Sequence, residues 1–149
     1  KTNREKRWET HPQSVHFAER RTCIAIEYGL ITEICAFDGF PTKFLKQLQT
    51  ENILPLRLPT ALCPITGDAL SYKAFRDELL NPTHGKSDFQ VGHLNPLKLE
   101  NDKGTSAGHT AENISWISAD GNRIQGSLSL KDVRRLIRRI AENYDRHGW

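Results

Sequence analysis

The sequence predicts an α+β fold in which a two-stranded hairpin is surrounded by helices contributed from both ends of the chain. Three observations carry that reading. Two short stretches alternate as strands do, helical apolar spacing dominates the chain before and after them, and a short helical segment follows the second strand directly.

The first dozen residues, with Lys1, Arg4, Lys6 and Arg7 around Trp8, read as a polar lead-in ending near Pro12. From Ser14 to Phe37 the apolar residues Val15, Phe17, Ile24, Ile26, Leu30, Ile31, Ile34 and Phe37 recur at steps of three and four, the spacing of a helix packed on more than one side. Asp38-Gly39-Phe40-Pro41 stops it. A second helix is expected over Thr42 to Glu51, and Pro55, Pro59 and Pro64 make the next stretch extended or looped. Ser71 to Leu80 reads as a helix with Tyr72, Phe75, Leu79 and Leu80 turned inward, followed by a loop through Asn81-Pro82. Phe89 to Leu94 and Asn113 to Ser118 are the strands, joined by a polar loop from Asn95 to Glu112. A short helix over Asp120 to Gln125 completes strand, loop, strand, helix. Ser129 three residues ahead of Asp132 marks an N-cap, and Val133, Leu136, Ile137, Ile140 and Tyr144 form one apolar stripe. The expectation is thus a single domain over 1–149, with a helical part at 14–80, a core at 88–126 and a C-terminal helix at 129–146.

With 149 residues, 37% of them hydrophobic and 26% charged, the chain has the composition of a soluble globular domain that needs no disulfide staple. Glu27 and Glu33 interrupt the longest apolar run, so no segment reaches the roughly 20 residues of a membrane span. No signal-peptide pattern is present. Cys23, Cys35 and Cys63 are odd in number and form no C-x-x-C pair, which favours a reducing, intracellular setting over a disulfide framework. The net charge of +3 suits a polyanionic partner. The chain starts at Lys1 and contains no Met, which reads as a piece of something longer.

The chemistry-bearing stretch is Val91-Gly92-His93-Leu94-Asn95-Pro96, then His109 through Asn113 to Ile117, then Gly121-Asn122-Arg123. A Pro follows His93 by three positions, His109 precedes Asn113 by four, and Asn122 follows Asn113 by nine. This arrangement resembles the HNH, or ββα-metal, nuclease motif, in its HNN variant, over about a quarter of the chain. The resemblance implies a divalent-metal-dependent endonuclease of restriction type acting on double-stranded DNA and leaving 5′-phosphate and 3′-hydroxyl ends. It implies His93 as general base, Asn122 as ligand of Mg²⁺ or Mn²⁺, and Asn113 as the amide that ties the long loop to the hairpin around His93. These residue types suit the task. Imidazole titrates nearest neutral pH, a hard cation takes oxygen ligands, and an amide both donates and accepts. Arg123, beside the metal ligand, has the guanidinium geometry that matches phosphate. His109 either bonds to the loop backbone or meets the scissile phosphate.

Two positions depart from the pattern. Many family members carry Asp just before the base, where this chain has Gly92; Gln90 or Asp88 then stand as substitutes for the lost oxygen. The Gly-His-x-x-Pro arrangement is similar to that of related non-specific nucleases in which one Asn and several waters hold the magnesium. The family also often brackets its motif with two C-x-x-C pairs. Here Cys63 to Thr66 stands for the first and Ser118 and Gly121 for the second, so no structural zinc is expected.

Arg134, Arg135, Arg138 and Arg139 fall opposite the apolar stripe of the last helix and either contact the DNA backbone or keep the helix solvated. Arg20-Arg21 and the Lys1 to Arg7 cluster read as solvated surface. Rival readings are a nucleic-acid-binding module with a degenerate site and a ribonuclease. One motif per chain cuts one strand, so a double-strand cut calls for a homodimer or sequential nicks, and a separate recognition domain is compatible with the motif.

Overall fold

The order of elements follows from where apolar periodicity is strong and where caps can close it. The computed structural model describes residues 2–97 and 108–149, so the centre of the expected loop between the strands, and Lys1, lie outside the described residues. The helices are α1 (Asn3–Trp8), α2 (Arg20–Cys35), α3 (Thr42–Thr50), α4 (Tyr72–Leu80), α5 (Ala119–Gln125) and α6 (Leu130–His147). The strands β1 (Phe89–His93) and β2 (Ile114–Ser118) form a two-stranded antiparallel sheet, with Phe89 opposite Ser118 and His93 opposite Ile114. The fold is α+β, a small sheet among helices.

Several segments differ from expectation. In α4 Phe75 is buried as expected, but Leu79 and Leu80, expected to turn inward, are exposed. The lead-in contains a helix, α1, which Thr2 opens with a reciprocal capping box: its hydroxyl accepts from the Glu5 amide while the Glu5 carboxylate accepts from the Thr2 amide. The long helix begins at Arg20 rather than Ser14, because residues 14–17 are taken up by turns such as Phe17 N–H to Ser14 C=O. Nor is α2 packed all round. Cys23 and Ile26 are buried, whereas Ile24, Tyr28 and Ile31 lie on its exposed side. In α6, capped by Ser129 as expected, Val133 is wholly buried but Ile140 and Tyr144, further along the stripe, are exposed.

The core lies where α4, α6 and the turn before α4 meet the hairpin: Phe37, Cys63, Ile65, Leu70, Phe75, Ile117 and Val133. Phe37, Phe75, Phe89 and Trp116 pack edge-on or stacked, with ring centroids 5.3–6.3 Å apart. The free side of β2 is covered by α2. Glu33 accepts from the Ser115 hydroxyl and the Trp116 amide, and the Trp116 indole donates to the Leu30 carbonyl. Burial pushes the Glu33 carboxyl up in pKa, although both hydrogen bonds oppose it.

Behind the sheet, α5 starts immediately after β2. Ser118 caps it by accepting from the Gly121 amide, and Gly126 ends it at φ 53°, ψ −122°, a conformation reserved in practice for glycine.

Candidate active site

His93 ends β1, and its main chain is fixed from two sides. Asn113, completely buried, accepts from the Asn95 amide at 2.9 Å and donates from Nδ2 to the carbonyls of Asn95 (2.9 Å) and Gly108 (2.8 Å). Both ends of the loop are thereby joined at one amide. The Leu94 amide also donates to the Asn113 carbonyl. From the other side Gln125, on the last turn of α5, donates from Nε2 to the carbonyls of His93 (3.2 Å) and Leu94 (2.8 Å). Gln125 is buried and was not among the residues that the sequence singled out. Its only sequence signal is a polar residue at the inward end of a short helix, which turn propensity equally explains.

Asn95, which the sequence placed in the chemistry-bearing stretch without a role, accepts at Oδ1 from the Leu130 amide, linking the loop to the first turn of α6.

The His93 imidazole, half-buried, meets His109 with Nε2 3.3 Å from the His109 Nδ1, one ring donating and the other accepting. Both rings are disposed to be neutral. Burial lowers the pKa of His93, and the Arg7 guanidinium lowers it further. Burial, Arg7 and His93 together bring His109 down to about 4. His109 was expected to bond to the loop backbone or to meet the scissile phosphate; the geometry instead places it against the other imidazole.

Asn122, exposed on α5, shares with His93 a cleft of about 270 Å³ that Gly92, Pro96 and Gln125 also line. Its Nδ2 donates to Gln90 Oε1 at 2.5 Å, which leaves the amide oxygen with no hydrogen bond among the described residues. Of the two substitutes for the absent Asp, Gln90 thus touches Asn122, whereas Asp88 lines a separate hollow with Asp77 and Lys86. An amide oxygen is a suitable donor for a hydrated Mg²⁺ or Mn²⁺, which keeps most of its waters. Among the described residues there is no cluster of three or more His, Cys, Asp or Glu side chains able to hold a metal.

Gly92 has a packing reason. A Cβ there would lie 2.4 Å from Ile117 Cδ1 and 3.3 Å from its Cγ1, and Ile117 is wholly buried. An aspartate at 92 would have to displace that side chain. Gly92→Ala is expected to lower stability by about 1–3 kcal/mol through overpacking. Combining it with Ile117→Val, which removes Cδ1, should cost less than the sum of the two single changes, measured as thermal midpoints of the four proteins in the cycle.

The positions of the two cysteine pairs, of which Cys63 alone remains, do converge. Ser118 Oγ donates to Cys63 Sγ at 3.2 Å, Thr66 also hydrogen-bonds the thiol, and a Cβ on Gly121 would stand 2.7 Å from the same sulfur. Burial raises the thiol pKa, but the bonds from Ser118 and Thr66 together bring it below its ordinary value. One thiol, two hydroxyls and a glycine do not make a tetrahedral zinc donor set. A packed, hydrogen-bonded cluster ties the turn before α4 to the start of α5 instead.

The remaining sequence candidates lie away from the cleft. Arg123 pairs with Asp120 at 2.9 Å on the exposed side of α5. Arg134 donates from Nε and Nη2 to the Pro64 carbonyl, and Arg135 faces Asp132 at 3.9 Å. Arg138 borders the same surface hollow as Arg134, and Arg139 is exposed. None of these arginines lines the cavities that His93 opens onto.

The N-terminal cluster, in contrast, does reach the site. Lys6 and Arg7 line a cavity together with His93 and His109, and Arg4 and Arg20 lie over the Trp8 ring at 5.3 and 5.1 Å. The Thr-x-x-Glu capping signature at Thr2 and Glu5 is the sequence signal that marks this helix. Among the described residues, no helix is long and apolar enough to cross a membrane.

No family model matches the chain, and no curated protein matches it. Among solved structures, the crystal structure of a type II restriction endonuclease is similar to it, with a TM-score of 0.59 and 19% identity. The similarity covers 88% of this chain and 55% of the other, so the chain spans about half the length of that neighbour. At this identity what the two share is the fold, a mixed α+β arrangement of helices around a small sheet.

Proposed function

We propose that the chain is a divalent-metal-dependent endonuclease domain of the HNH, or ββα-metal, type that hydrolyses DNA phosphodiester bonds, as in a restriction or nicking enzyme. One observation carries the reading: a half-buried imidazole and an amide oxygen that has no hydrogen bond among the described residues open onto one cleft, and the imidazole's main chain is locked by two buried amides. The fold shared with a restriction endonuclease supports it.

In this mechanism His93 takes a proton from water, and the resulting hydroxide attacks phosphorus in line with the 3′ oxygen. The bond from phosphorus to the 3′ oxygen breaks, that oxygen takes up a proton from water, and the ends are 5′-phosphate and 3′-hydroxyl. A Mg²⁺ or Mn²⁺ ion held by Asn122 would neutralise charge on the phosphate and the departing oxygen. Asn113 and Gln125 are positioning residues that hold the His93 backbone. His109 stands against His93, poised to orient it or to share its proton.

The test is cleavage of supercoiled plasmid with Mg²⁺ or Mn²⁺ and with EDTA. Nicked or linear product that needs the metal and carries 5′-phosphate ends is expected. DNA that binds but stays intact under either metal would identify a binding module, and preferential cleavage of RNA at equal salt would identify a ribonuclease. Asn122→Ala is expected to raise the metal concentration needed for half-maximal rate, and an unchanged metal dependence would remove Asn122 as the ligand.

The pH profile follows from the histidines. Groups facing His93 across its larger cavity include Arg7, Lys6, Arg4, Glu27, His16 and His109. Because burial and Arg7 depress the His93 pKa, the base stays unprotonated to lower pH than a free imidazole. The acidic limb of kcat/KM should therefore fall below pH 6.5. The same shifts set stability. The unfolded chain binds protons on these rings before the folded one does, so stability is full above about 6.5 and declines as pH falls toward about 4. A limb at or above 6.5, or a thermal midpoint flat across that window, would contradict these shifts.

A further inference from the structure

His93 lies between two hollows: the cleft with Asn122, and a larger cavity of about 640 Å³ between α1, α2 and the Val91/His93 face of β1. The larger volume falls within the range of about 300–1,000 Å³ typical of sites for small organic groups. We infer that this cavity is a subsite for the DNA strand, in which Lys6 and Arg7 hold a phosphate next to the one cut at His93, and Ile26, Val91 and Ile114 receive the intervening sugar and base. The inference rests on the nuclease reading above and extends it to residues on an element outside the motif.

The charge balance points to an anion. Among the described residues, Arg4, Lys6 and Arg7 line the cavity against one carboxylate, Glu27, and that carboxylate is paired with Arg4 at 2.7 Å. No other carboxylate among the described residues lines the cavity opposite Lys6 and Arg7. Arg7 is half-buried and held in place, its Nη1 donating to the His16 carbonyl at 3.2 Å. A solvated surface arginine keeps its charge in water. This one is fixed beside two imidazoles whose protonated forms it disfavours. A phosphate in the cavity would be drawn to Lys6 and Arg7 and would offset that unbalanced charge; a guanidinium also matches phosphate geometry. The apolar floor excludes a purely ionic occupant as the best fit and suits one that carries a sugar and base alongside its phosphate.

The experiment measures binding of a short fluorescent DNA duplex in EDTA, where no cleavage intervenes, between about 50 and 200 mM salt. Wild type, Lys6→Ala, Arg7→Ala, the double variant and Arg138→Ala with Arg139→Ala are compared, with circular dichroism and thermal midpoints as fold controls. Losing both contacts to the shared phosphate should weaken binding and reduce the slope of log K against log salt by about 0.9 in the double variant, with a smaller reduction in each single variant. Lys6 is exposed, so its variant keeps the test valid if Arg7→Ala perturbs the fold. Unchanged affinity and slope in the Lys6 and double variants, or a reduced slope only in the α6 variant, would overturn the subsite; so would a wild-type protein that does not bind DNA. Wild-type binding with the expected slope changes, but no cleavage when metal is added, would leave the subsite standing and remove the nuclease reading.

Discussion

Replacing His93 with alanine is expected to slow plasmid cleavage by about 10²–10⁴-fold, the usual contribution of a positioned general base. Thermal stability should change little, because the side chain is only half-buried and its one side-chain hydrogen bond among the described residues is to His109. The loss would appear in kcat rather than in DNA affinity, since burial and Arg7 lower the pKa of the imidazole and so disfavour the charged form that would attract a phosphate. Added imidazole should restore part of the rate in the alanine variant by entering the space left between the two hollows. A variant that cleaves within a few-fold of wild type would transfer the role of base elsewhere, and His109, 3.3 Å away, would be the first residue to test.

Asn113→Ala is expected to have the largest effect on stability. The side chain is wholly buried and, among the described residues, makes three hydrogen bonds, all to main-chain groups of the loop. Alanine leaves one amide and two carbonyls without partners, each costing about 1–3 kcal/mol if no water reaches them. With partial relaxation the net loss should be about 3–4 kcal/mol, lowering the thermal midpoint by roughly 10 °C in a domain of this size. Activity should fall too, because the loop ends and the turn after His93 share this one lock. Asn113→Asp separates the causes: it keeps the shape and an acceptor but loses both donors, so it should destabilise almost as much as alanine. A midpoint within about 2 °C of wild type for either variant would mean that the loop is held by something other than Asn113.

The hairpin, α5 and α6 were legible in the sequence because their signals are local. Alternation over five residues, Ser118 and Ser129 as caps, and the spacing of Val133 and Ile137 all act within a few positions of the chain. The boundaries of α2 were less legible, because turns at 14–17 interrupt an apolar pattern that continues through them. α1 was read as a polar lead-in: it has no buried residue and is held by a capping box, by Arg4 to Glu27, and by Trp8 between Arg4 and Arg20. Partners so far away in sequence leave no periodicity behind them.

By itself, then, the sequence determined the strand, loop, strand, helix order and the candidates His93, Asn113 and Asn122, because these depend on residue type at short spacings. Only the tertiary structure decided that Gln125 and Asn95 complete the lock around His93, that Ile117 occupies the space an aspartate at 92 would need, and that Cys63, Thr66, Ser118 and Gly121 meet around one thiol. It likewise drew Lys6 and Arg7 to the imidazoles while turning Arg123 and Arg134 to Asp120 and Pro64. The physical reason is shared: a charge or an amide takes its role from whatever the fold places within hydrogen-bonding distance, and for Gln125, Asn95 and Arg134 that neighbour is dozens of residues away.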